Sequence, residues 1–178
     1  GVDCIEHIAC FIRNRENRLL ERVYEPEVMA RYAGQKRWFM MGLSAGYHNL
    51  DDFRSGKRPC GANETFWLEQ EERMFAIFKK VIALGLLPVC GTDAGTGGTR
   101  FDETWLELAL MVRRGCLRAR EAIRIGTAQS AACLGLTRET GAIGEGLSAD
   151  LIALETDPIT CIEALAHPAR VMAQGRLV

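Results

Sequence analysis

Two uninterrupted apolar runs, Trp38-Phe39-Met40-Met41-Gly42-Leu43 and Leu86-Leu87-Pro88-Val89-Cys90, constrain this chain most. Runs of that length without polar alternation read as strands buried on both faces, and such strands belong to parallel sheets covered by helices. Between them, over roughly residues 64–84, Phe66, Met74, Phe75, Phe78, Val81 and Ile82 recur near helical spacing, and Gly85 is placed as the cap. An earlier strand is read in Gly1-Val2-Asp3-Cys4-Ile5-Glu6-His7, with Val2, Cys4 and Ile5 inward and His7 at its end. Residues 25–34 carry the signals of a helix, with Pro26 in the first turn and Gly34 at the end. Further helices are expected over residues 103–114, closed by Gly115, and over residues 117–134. This order of elements indicates α/β units. After Gly135 the texture changes: Gly141, Gly144 and Gly146 punctuate a turn-rich segment, and short strands over 149–154 and 169–173 suggest a small β element.

The 178 residues, 48% hydrophobic and 25% charged, suffice for one domain or a domain with a small appendage. A net charge of −1 leaves no concentrated positive surface, which argues against nucleic acid or an anionic membrane as the main partner. Arg13, Arg15, Arg18 and Arg22 are locally basic but interleaved with Glu16, Glu21, Glu25 and Glu27, so that stretch reads as a solvated segment. The seven cysteines, Cys4, Cys10, Cys60, Cys90, Cys116, Cys133 and Cys161, form no CxxC pair and mostly sit in apolar or helical contexts. They are expected to be small buried hydrophobes in a reducing cytoplasm and not a disulfide framework. No apolar run is long enough to span a bilayer, and no secretory leader is read. The chain begins at Gly1 in mid-pattern and without methionine, which leaves open a processed start or an absent upstream part.

Two positions carry the candidate chemistry. His7 ends the first strand and Asp93, in Gly91-Thr92-Asp93-Ala94-Gly95, ends the third. In barrels of βα units, ligands gather where strands become loops at the C-terminal face. A neutral imidazole and a carboxylate from neighbouring strands suit zinc or a similar divalent ion. The same residue types also serve as a hydrogen-bonded rim histidine and as a turn or N-cap aspartate, and spacing does not decide between these.

Resemblance adds to this. The segments 1–7, 89–95 and Gly141-Ala142-Ile143-Gly144-Glu145-Gly146-Leu147-Ser148-Ala149-Asp150-Leu151, with Asp157-Pro158 following, occur in an order that resembles the amidohydrolase superfamily, in particular its imidazolonepropionase-like and prolidase-like branch. Residues 121–136 are similar to that family's helix after the barrel, so the likeness covers nearly the whole chain. It implies the C-terminal part of a (β/α)8 TIM-like barrel, strands six to eight, over residues 1–140. The C-terminal share of a small β-sandwich would follow over 141–178. It implies metal ligation by His7 and Asp93, with Asp93 also the catalytic general base, one or two divalent ions such as zinc, and Asp150 in a structural turn. The implied activity is hydrolysis of amide or cyclic amide C–N bonds by metal-activated water, on small amide or dipeptide-like substrates.

The departures are as informative. The family's His-x-His pair on the first strand, its bridging lysine or carboxylate on the fourth and its histidine on the fifth have no counterpart. The chain's histidines are His7, His48 and His167. His48 lies in a long polar loop over 44–63, where it is a candidate substrate contact, and His167, before Pro168, reads as a surface turn residue. Two ligands do not hold a catalytic zinc. Three strands of a barrel also expose two unpaired edges. A missing N-terminal barrel half or an oligomeric partner is therefore expected, and the chain alone is expected to be inactive. The alternative is a non-catalytic remnant or assembly module of the same fold. A flavodoxin-like reading fails because Gly91 to Gly98 lacks a phosphate-loop lysine and dinucleotide spacing.

Overall fold

The structure, a computed structural model, describes all residues except Gly1, Asn17 and Lys36. Strand β1 (Cys4–Glu6) is followed by a hairpin of β2 (Cys10–Arg13) and β3 (Leu20–Val23), helix α1 (Pro26–Ala33) and strand β4 (Trp38–Met40). A 3-10 turn (Tyr47–Leu50) runs into the short α2 (Asp51–Arg54), and the long α3 (Ala62–Ala83) leads to β5 (Leu87–Pro88). Helix α4 (Thr104–Arg113) precedes α5 (Ala119–Arg124), a π-helical turn (Ile125–Gln129) and α6 (Ser130–Cys133). The chain closes with β6 (Leu151–Ala153), a 3-10 turn (Ile162–Ala166), β7 (Arg170–Ala173) and β8 (Arg176–Leu177).

β1, β4 and β5 form a parallel sheet with β4 in the centre, in register Cys4↔Trp38 and Phe39↔Pro88. Proline is tolerated in β5 because that strand lies at the sheet edge. The sheet's hydrophobic residues pack on α3 and α4. Phe39 and Phe78 meet edge to face at 5.9 Å, both fully buried, beside Val81, Leu110 and Met111. Among the polar side chains of this layer, Glu71 is buried but paired with Arg54 at 2.6 Å and Arg114 at 2.8 Å. The antiparallel sheet β6-β7-β8 stands apart from the parallel one. At its turn, Asp150 accepts the N–H of Gln174 at 2.8 Å, and that bond holds its carboxyl below the usual carboxylate range. His167 follows the second 3-10 turn and is exposed. No helix among the described residues is long and apolar enough to cross a membrane.

Four expectations are corrected. Val2 is 62% exposed and lies before the strand, which starts at Cys4. The basic stretch is solvated as expected at Arg13, Arg15 and Arg18 but is not only that: it contains the β2–β3 hairpin, docked on α3 through the N–H of Arg22 to Gln70 at 2.7 Å and Arg73 to Glu21 at 2.8 Å. The cysteines are half-buried or, at Cys60 and Cys116, exposed, because most sit at element ends where the core thins. The helix expected over 117–134 starts at Ala119 and is interrupted by a π turn, whose extra residue aims Gln129 and Ser130 at the sheet.

Candidate functional site

His7 directly follows β1, whereas Asp93 lies in the loop beyond β5, past Val89, whose N–H still bonds to Phe39 at 2.8 Å. The structure brings the two side chains together: Nε2 of His7 lies 3.3 Å from Oδ2 of Asp93, with side chains 39% and 43% exposed. Both residues occupy the left-handed backbone region, φ 49° at His7 and 57° at Asp93. That conformation is uncommon outside glycine and tends to gather at functional positions.

The ring of His7 is held from the strand β4 side. Its Nδ1 lies 3.2 Å from the carbonyl oxygen of Met41. A carbonyl can only accept, so Nδ1 carries a proton, and Nε2 is the ring atom turned towards Asp93. Gly42, at φ +66°, makes room for the ring: a Cβ there would lie 3.2 Å from its Cε1. The approach of Nε2 to the Asp93 carboxylate is satisfied by a proton on Nε2 or by a cation held between the side chains. The backbone carbonyl behind Nδ1 is the arrangement that typically orients a metal-binding histidine.

Beneath this turn lies a residue that sequence reasoning missed. Glu107 of α4 is fully buried and accepts the N–H of Leu43 at 2.9 Å and of Ser44 at 2.7 Å. Burial pushes its carboxyl up to about 7, against the pull of those two N–H groups and of nearby His7. Its signal in sequence is a lone acid inside the apolar run Trp105-Leu106-Glu107-Leu108-Ala109-Leu110-Met111. Gln129 and Ser130 were missed as well. Gln129 donates to the carbonyl of Pro88 at 2.6 Å, and Ser130 Oγ accepts the N–H of Cys90 at 3.0 Å, clamping the segment that leads to Asp93.

The loops after β4 and β5 are joined. Gly46 donates to Thr99 Oγ1 at 2.9 Å and Asn49 donates to the carbonyl of Gly97 at 3.0 Å. His48 lies on this rim with both ring nitrogens engaged, Nδ1 at 2.6 Å from Asp51 and Nε2 at 3.0 Å from Glu103. The hydrogen bond to Asp51 raises its pKa above the ordinary histidine value, and the charges of Glu103 and Asp51 act in the same direction. The structure thus places His48 among carboxylates, with no contact to His7 or Asp93 among its bonds.

His7 and Asp93 suit a divalent ion in donor type, as a nitrogen lone pair and a carboxylate. Among the described residues no group of three or more His, Cys, Asp or Glu is placed to hold an ion.

Residues 68–178 match the model of the amidohydrolase family. An ochratoxinase of Aspergillus niger is 36% identical over 95 residues, covering 53% of this chain and 19% of the ochratoxinase. The crystal structure of a protein of Bifidobacterium longum assigned as a prolidase is 28% identical, covers 100% of this chain and 42% of its own, and superposes with a TM-score of 0.74. A Xaa-Pro dipeptidase with methionine in its active site is 26% identical, with a TM-score of 0.75 and coverage of 100% of this chain and 40% of the dipeptidase. The chain belongs to the amidohydrolase family. It has the fold of a part of these proteins and spans less than half the length of each relative.

Proposed function

We propose that this chain is the C-terminal part of a metal-dependent amidohydrolase that hydrolyses amide C–N bonds. In this reading β1, β4 and β5 are strands six to eight of a (β/α)8 barrel, residues 1–140 belong to the barrel and residues 141–178 to the C-terminal share of a β-sandwich. The parallel order of these strands and the separate antiparallel sheet support that division.

The observation that carries the reading is the approach of His7 Nε2 to Asp93 Oδ2 at 3.3 Å, at the exits of two parallel strands. Bound there, a divalent ion such as zinc, one or two in number, would polarise the scissile carbonyl and ease the deprotonation of water. His7 offers the Nε2 lone pair, its ring fixed through Nδ1. Asp93 Oδ2 accepts the proton of the attacking water and returns it to the leaving nitrogen as the C–N bond breaks and the C–O bond forms. The missing ligands come from an N-terminal barrel half or an oligomeric partner. The likeness to a Xaa-Pro dipeptidase and an ochratoxinase supports a small amide or dipeptide-like substrate. His48 enters as a rim residue that meets substrate with the part of its ring the two carboxylates leave free.

The incomplete ligand set also favours a second reading, a non-catalytic module of the same fold. Turnover of a panel of dipeptides and N-acyl amino acids by the full-length protein separates the two. Asp93→Asn is expected to abolish turnover and leave the melting temperature near that of the parent, and retained turnover would remove Asp93 from the mechanism.

A further inference from the structure

We infer that Glu107 is a positioning residue for the imidazole of His7, acting through the turn that follows β4. The inference rests on the reading of His7 as a metal-holding side chain.

Glu107 sits where a carboxyl is unfavourable. It lies on the apolar face of α4 with no exposed surface, between Leu106 and Leu108, and no ion pair joins it to a cation among the described residues. A carboxyl in such a place is unfavourable unless its oxygens find hydrogen-bond donors, and an aliphatic residue would pack there without that burden. What Glu107 provides and an aliphatic residue cannot is a pair of acceptors for consecutive backbone N–H groups. Oε1 takes Leu43 and Oε2 takes Ser44.

Those amides lie just past the last residue of β4 that pairs in the sheet, where the ladder no longer fixes the backbone. The same turn grips His7 from its other end. The carbonyl of Met41 receives Nδ1, and at Gly42, in the left-handed region, any Cβ would press on Cε1 and Nδ1. Residues 41 to 44 therefore form one rigid link, bound by Glu107 on the core side and by the imidazole on the open side. With that link fixed, Nδ1 keeps its proton on the Met41 carbonyl and Nε2 stays aimed at Asp93. With the link loosened, the ring can turn and the two tautomers mix. Outer partners of metal-binding histidines act in this way.

The test uses metal-free full-length protein titrated with zinc, together with the imidazole nitrogen NMR signals of His7, assigned by their loss in His7→Ala. Glu107→Gln keeps the side-chain shape but sets an amide N–H2 against one of the two backbone donors. Zinc affinity is expected to fall by about ten- to a hundredfold, and the His7 signals to move from one Nδ1–H tautomer towards a mixture. Glu107→Asp keeps both acceptors on a shorter arm and is expected to fall between Gln and the parent, and it decides the matter if Glu107→Gln does not fold. Parental zinc affinity with an unchanged tautomer in either folded variant overturns the inference, however far the melting temperature drops, because a merely structural carboxyl would move stability alone. His7→Ala is expected to lose zinc affinity. If it keeps that affinity, the metal-holding reading falls together with this one. If it loses affinity while the Glu107 variants keep theirs, the Glu107 inference alone falls.

Discussion

The Nε2 atom of His7 faces Oδ2 of Asp93 at 3.3 Å, across a sheet in which β4 separates the strands that lead to them. Each residue accepts a left-handed backbone to reach this position. Surrounding hydrogen bonds hold both in place: Met41 on the His7 ring, and Gln129 and Ser130 on the segment before Asp93.

Replacing His7 by alanine removes the nitrogen donor. Because the side chain is 39% exposed, folding stability should change little, within about 1 kcal/mol for a site of this kind. Metal analysis of the full-length protein should show a lowered divalent ion content. An unchanged stoichiometry would take His7 out of the ligand set.

Gly42→Ala tests the packing around the ring. At φ +66° an L-residue is disfavoured by about 1–2 kcal/mol, and the new Cβ would press on Cε1 of His7. Urea unfolding should report a loss of that size, accompanied by weaker zinc binding. Weaker stability with parental zinc binding would show that the ring tolerates the displacement.

Glu107 makes stability depend on pH. Burial raises its folded pKa to about 7 from the ordinary glutamate value of 4.5, so its contribution is full below about 4.5 and is lost as pH rises through about 7. The window is therefore roughly pH 4.5 to 7, and the loss across it is on the order of 3 kcal/mol. Comparison of the parent with Glu107→Gln by urea unfolding at pH 5 and pH 8 isolates this group. The parent should lose ground to the variant as pH rises, and a constant difference would mean that Glu107 does not titrate there.

Ser130→Ala removes the acceptor for the Cys90 N–H. A half-buried amide left without its partner should cost about 1–2 kcal/mol of folding stability by chemical denaturation. If the clamp matters to the site, kcat should fall as well, since the segment leading to Asp93 is freed.

Much of this arrangement was legible in the sequence, for a physical reason. Buried parallel strands write themselves as apolar runs, so the exit carrying Asp93 could be located from Leu86–Cys90, whereas His7 was placed from the short strand read over residues 1–7. The β2–β3 hairpin was not legible, because Phe11, Ile12 and Leu20 are exposed and no alternation of buried and solvent faces marks it. Glu107 left a trace as a lone acid in an apolar run, but its partners, the amides of Leu43 and Ser44, are remote in sequence and emerge only when α4 packs under the turn. His48 shows the same limit. Its bond to Asp51 is local and could be anticipated, whereas Glu103 reaches it from another element. The π turn was hidden because residues 117–134 carry an unbroken helical pattern, and the shift that aims Gln129 and Ser130 at the sheet comes from packing.

The measurement that bears most directly on the account is anomalous diffraction at the zinc edge from crystals of the full-length protein grown with zinc. The account predicts an ion within about 2.0–2.2 Å of His7 Nε2, of an Asp93 carboxylate oxygen, or one at each, with Nδ1 of His7 still on the carbonyl of Met41. Zinc found only away from both side chains, with His7 and Asp93 still paired directly, would contradict it.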